Sequence, residues 1–122
     1  MKVEISNGEL LDKISILMIK SERIKDKRKL VNINNELSEL APYLIEMADF
    51  FEMFEALKKV NEAMWETEDG IREKERTQCF DKQFIDLARS VYMVNDERAR
   101  LKKLINLQSG SNFIEEKAYS DY

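Results

Sequence analysis

The 122-residue chain has 24 acidic and 20 basic side chains, a net charge of −4, one cysteine and no histidine. That balance provides no overall positive field for phosphate and argues against nucleic acid as a partner. Lacking histidine, the chain has no Ser-His or Cys-His nucleophile pair and no imidazole-held zinc; any metal would rest on carboxylates alone, and neither a metal nor a cofactor is expected.

Cys79 has no partner for an internal disulfide, which fits a reducing, cytoplasmic setting. The longest apolar run, Ile16 to Ile19, is one helical turn, so no membrane span is expected. Lys2 and Glu4 interrupt the stretch where a secretory signal would be apolar. The length suits one domain, residues 1–122.

Residues 1–6 read as a short arm. Ser6 followed by Glu9 forms a capping box and predicts a first helix over 7–25. Its inward stripe is Leu10, Ile14, Leu17, Ser21 and Ile24, widened by Leu11, Met18 and Ile19 and flanked by Glu9, Lys13, Ile16, Lys20 and Arg23, with Glu9 and Lys13 in the favourable acid-first order. Asp26 caps a second helix over 27–47, with Leu30, Ile33, Leu37, Leu40 and Leu44 inward. Pro42 either kinks that helix or opens a resumed one. Asp49 with Glu52 predicts a third start, over 50–77, in which Gly70 is the weak point. Asp81 caps a fourth helix over 82–108, carrying Phe84, Leu87, Val91, Val94, Arg98, Leu101 and Ile105. Gly110 ends it, and 109–122 form a tail: a plain disordered terminus past Ser109 is one reading, and Phe113, Tyr119 and Tyr122 suggest the other, packing on the bundle or on a second subunit. The expected fold is all-α: an antiparallel four-helix bundle with an N-terminal arm and a C-terminal tail.

The third helix sets Asn61, Trp65, Glu68 and Arg72 beside its apolar stripe of Leu57, Val60, Met64 and Ile71. Equal counting back from the turn at 78–80 places Asn61 opposite Arg98, and Glu68 near Val91 and Arg89. An arginine in an apolar stripe needs a partner, because an unpaired buried charge is very costly. The plainer reading is a structural polar network. The functional one is an interhelical cavity for a small anion, lined by Lys13, Lys20, Arg72, Arg89 and Arg98, with Asn61, Trp65, Glu68, Tyr92 and Asn95 as further candidate ligand contacts.

Other patterns are weaker. Glu36-x-x-Glu39 with Glu66-x-x-Asp69 is similar to the magnesium motif of all-α nucleotide pyrophosphatases, but so acidic a chain produces such pairs by chance. Trp65, Tyr92 and Phe54 are candidates for an aromatic wall, and more simply for core. Cys79 lies near Lys82 and Arg76, yet without a second reactive group it reads as a bystander. Tyr43, Met47, Phe50, Phe51, Met53 and Phe54 offer more apolar surface than one bundle face requires, so a homodimer through Tyr43–Phe54 is expected.

Gly8-Glu9-Leu10-x-Asp12-Lys13, Ile16-Leu17-x-Ile19-Lys20, Asn61-Glu62-Ala63-x-Trp65, Arg72-Glu73-Lys74-Glu75, Ala88-Arg89-Ser90-Val91-Tyr92, Asn95-Asp96 and Glu115-Glu116-Lys117 together resemble a small all-helical bacterial and phage family known only as a domain of unknown function. Gly70 and the phenylalanine-rich Phe50–Phe54 depart from its pattern. The resemblance implies no activity; it implies a setting, since some members occur beside genes for surface polysaccharide or glycosyl transfer. Helix one also faintly resembles the helical chorismate mutases, whose cations grip a dicarboxylate. Two functions follow as expectations. One is a non-enzymatic binding or adaptor module for a protein partner or small anion. The other is a small helical enzyme holding an anionic substrate with Lys13, Lys20, Arg72 and Arg98 while Glu68 assists proton transfer.

Overall fold

A computed structural model describes residues 1–122. Four helices, α1 (Asn7–Arg23), α2 (Lys27–Glu46), α3 (Phe51–Arg76) and α4 (Lys82–Ser109), pack against one another, and no strand is present. Every expected helix is found, with ends within two residues of those read from the pattern. No helix is long and apolar enough to cross a membrane.

The hub is α1. It packs on α2, α3 and α4 in turn, whereas α2 leans almost solely on α1. The apolar centre is Leu11 and Ile14 of α1, Phe54 and Leu57 of α3, and Leu101 and Ile105 of α4. From α2, Leu37, Leu40 and Leu44 close over it half-buried, and only Ile33 of that helix is buried. The inward face of α1 centres on one side of the expected stripe: Leu11, Ile14, Leu17 and Ile19 are buried, while Leu10 and Ser21 are half-exposed and Ile24 lies past the helix end. A helix covered on three sides has no single stripe.

Two local expectations are corrected, and one open choice is decided. Glu9 and Lys13 do not pair with each other; Glu9 reaches Lys102 at 2.7 Å and Lys13 reaches Glu36 at 2.7 Å, each tying α1 to a different neighbour. Asp49 does not cap α3: a 3-10 turn over Ala48–Phe50 leads in, and no side chain caps the helix start. Pro42 does not break α2, which runs through it. Both Pro42 and Ser38, whose carbonyl loses its usual amide, are exposed, so the break in the hydrogen-bond ladder falls on the solvent side of the helix.

Lengths set the shape of the remainder. With 26 and 28 residues against 17, α3 and α4 are roughly 40 Å long and α1 about 25 Å. The α3–α4 hairpin therefore overhangs the base, and from Glu68 to Arg100 no residue is buried. Gly70 fits here because a Cβ would lie 3.1 Å from Leu87 Cδ1 of the facing helix.

Candidate functional site

The polar centre of the base is Asp12, only 1% exposed on α1. Arg98 of α4 grips it in a fork, Nε donating to Oδ1 at 2.8 Å and Nη2 to Oδ2 at 2.5 Å. Asn61 of α3 donates through Nδ2 to Asp12 Oδ1 at 2.9 Å and to Ser15 Oγ at 2.8 Å. Ser15 Oγ in turn donates to the Asp12 carbonyl at 2.7 Å. Three helices are thus tied through one carboxylate. The hydrogen bonds to Asp12 hold the Arg98 pKa above its ordinary value, although partial burial acts the other way. Such a bidentate pair is strong and geometrically selective, and removing one partner strands a charge.

A second polar lock lies about a turn away. Gly8 is so close to α4 that a Cβ would stand 2.4 Å from the Lys102 carbonyl oxygen. The amides that open α1 are therefore capped from across the bundle: Asn7 N–H donates to Ser111 Oγ at 3.0 Å and Gly8 N–H to Asn106 Oδ1 at 2.6 Å. Glu9 N–H uses Ser6 Oγ at 3.2 Å, the half of the capping box that forms. Asn106, 1% exposed, keeps its Nδ2 without a partner. Lys102 is held between Glu9 at 2.7 Å and Glu115 at 3.1 Å; burial alone would lower its pKa, and these carboxylates more than offset that, so it is raised.

Beside the Asp12 network a cleft of about 320 Å³ opens between α1 and α3. Ile16, Ile19, Met64 and Trp65 supply its apolar walls; Lys20, Asn61, Glu68, Asp69 and Arg98 supply its polar edge. Arg23 lies over the Trp65 ring, 5.9 Å from its centre, and braces it from outside. Lys20 makes no ion pair, whereas Glu68 is engaged by Arg72 at 3.3 Å.

Of the ten candidate residues, Lys20, Asn61, Trp65, Glu68 and Arg98 meet at this cleft. The structure separates the others. Lys13 is exposed and paired to α2, and Arg72 stands outside with its side chain 77% exposed. Arg89 is exposed on the overhanging hairpin, while Tyr92 and Asn95 lie under the tail. Asn61 and Arg98 do converge, through Asp12 rather than face to face. Asp12 itself was not among the candidates. Its signal was the Gly8, Asp12, Ser15 spacing, which puts small and polar residues on one face of a helix otherwise apolar there.

The aromatic wall does not form: Phe54 is core, Trp65 lines the cleft and Tyr92 faces the tail. The acidic pairs do not converge either. Glu36 bonds Lys13, Glu66 bonds Arg23, and no group of three or more acidic or cysteine side chains is gathered to hold a metal. Cys79 sits in the hairpin turn, 3.7 Å from Lys74 Nζ.

Comparison with curated proteins finds no match, and comparison with solved structures finds none. The model of the Family of unknown function (DUF6165) matches residues 1–122, and the chain belongs to that family.

Proposed function

We propose that this is a non-enzymatic, cytoplasmic binding or adaptor protein whose α1–α3 cleft takes a small ligand with an apolar body and an anionic end. The observation that carries the reading is how the charges are disposed. Asp12 and Arg98 are engaged with each other in the base, whereas Lys20 stands unpaired at the edge of a cleft walled by Trp65, Met64, Ile16 and Ile19. An apolar cavity with a few convergent polar groups is the usual form of a small-molecule site. The enzyme alternative would need Glu68 as its acid or base, and Glu68 is tied to Arg72 at the rim.

Two further parts of the proposal rest on less. A homodimer through the Tyr43–Phe54 region is supported by Tyr43, Ile45 and Phe51, which remain 45%, 80% and 46% exposed, although Phe54 is itself core. An accessory role in surface-polysaccharide or glycosyl transfer rests on the family resemblance alone.

The test is a thermal-shift screen of aromatic carboxylates and sugar nucleotides. A ligand at 100 times its Kd stabilises by about 2.7 kcal/mol. Lys20→Gln and Trp65→Ala should each abolish the shift while leaving the unliganded Tm in place. A screen without any responder, or a shift that survives both substitutions, rejects the cleft as the site. Light scattering at twice the 14.4 kDa chain mass tests the dimer separately.

A further inference from the structure

The tail makes a second opening, apart from the cleft just described. Gly110, at φ 67, turns the chain, and the following residues run back along α4. Glu115 meets Lys102 at 3.1 Å, Glu116 meets Lys103 at 3.0 Å, and Tyr122 Oη donates to Asp96 Oδ2 at 2.6 Å. This return places Tyr119 and Tyr122 beside Tyr92 of α4, around a cleft of about 470 Å³. The Tyr92 and Tyr122 rings lie 5.0 Å apart at 60°, forming a corner rather than a stack. Two carboxylates, Asp96 and Asp121, border the same opening, and no basic side chain does.

Ring faces carry the negative part of the aromatic quadrupole and attract cations within about 6 Å. A primary ammonium or a metal ion is strongly hydrated and gives up water reluctantly. A quaternary ammonium holds its water loosely, is apolar at its surface, and prefers aromatic faces with an acid nearby. The tail already uses this attraction once, since Lys117 Nζ lies 6.0 Å from the Tyr119 ring centre. The Tyr92–Tyr122 corner remains open.

We propose that the Tyr92–Tyr122 corner, with Asp96 and Asp121 at its border, is a binding site for a quaternary ammonium group. Two sources carry that group: a free choline-like compound and a trimethylated lysine in another protein. The site stands whether or not the α1–α3 cleft binds anything, because it shares no residue with it.

The experiment is a titration of the full chain followed by the tyrosine ring resonances. The probes are tetramethylammonium, choline, a trimethyl-lysine peptide and 3,3-dimethylbutan-1-ol, the uncharged isostere of choline. Saturable shifts of the Tyr92 and Tyr122 rings are expected with the three cations, and binding at least about fivefold weaker with the neutral isostere. Tyr92→Ala and Tyr122→Ala should each weaken binding by about fivefold or more. Tyr92→Phe should retain it, which separates loss of the ring from loss of fold, and Asp96→Asn should weaken it. Tighter choline points to the free compound, and a tighter peptide to the modified protein. Equal binding of the neutral isostere, full affinity in Tyr92→Ala, or no saturable shift with any cation overturns the proposal.

Discussion

The base of the bundle and the overhanging hairpin are built from the same helices by opposite means. In the base, residues far apart in sequence interlock: Asp12 with Asn61 and Arg98, Gly8 with Lys102 and Asn106. In the overhang, α3 and α4 have mainly each other, no residue from Glu68 to Val94 is buried, and the polar contacts are local, such as Arg76–Glu73 and Lys74–Asp81. Buried polar groups in the base favour this arrangement of three helices, because moving α1 away from α4 strands the Asp12 and Arg98 charges. The hairpin needs only register. Stability in this molecule is therefore uneven along single helices, highest where α3 and α4 touch α1 and lower beyond it.

Asp12→Ala is the strongest way to break that contrast. It leaves the half-buried Arg98 guanidinium without its carboxylate and Asn61 without one acceptor, and should cost about 3–5 kcal/mol in urea unfolding. A loss below about 1 kcal/mol would mean that the base is not organised by this carboxylate.

The two helical glycines sharpen it. At Gly8 the added methyl meets a backbone oxygen at 2.4 Å, which cannot give without moving a helix, so Gly8→Ala should cost about 1–3 kcal/mol. At Gly70 it meets the end of the half-exposed Leu87 side chain at 3.1 Å. That side chain can turn aside, and Gly70→Ala should gain up to about 1 kcal/mol from helix propensity. Denaturation midpoints that move the same way in both variants would contradict the distinction.

Acid is the gentlest probe. Asp81 caps α4, and the Lys74 ammonium together with the Phe84 amide holds its pKa down to about 2. A depressed carboxylate stabilises above its ordinary value near 4 and loses that contribution as pH falls toward 2. Protection of the Phe84 amide from exchange should fall across that window while the base amides stay protected. Asp81→Asn should flatten the response.

How legible was this in the sequence? The four helices were, because apolar spacing, Ser6, Asp26 and Asp81 each mark a local event. The order of the base was not. Periodicity says which face of α1 is apolar, but not that three helices share it, so Leu11 and Ile19 read as the margin of a stripe centred on Leu10 and Ile24 when they are fully buried. Arg98 was found because an arginine in an apolar stripe is conspicuous. Its partner was missed because Asp12, between Leu11 and Lys13, looks like any solvated acid until α4 is laid across it. Hairpin counting brings Asn61 and Arg98 to one level of the bundle, yet it carries no information about α1, whose Asp12 is what joins them. Lys13 pairs outside the site with Glu36, and Arg72, which helical spacing sets beside Glu68, meets that residue from the solvent side of the rim.

The caps on α1 also bear on how the chain acquires its fold. Asn7 and Gly8 find their acceptors at Ser111 and Asn106, separations of 104 and 98 residues. Those two acceptors exist only once α4 and the residues just past its end are in place, so until then the amides that open α1 have no partner across the bundle. A helix of 17 residues is marginal by itself, and closing so long a loop is entropically slow. The caps of the central helix thus depend on closing nearly the whole chain, whereas the α3–α4 hairpin, whose contacts are local, needs no such closure.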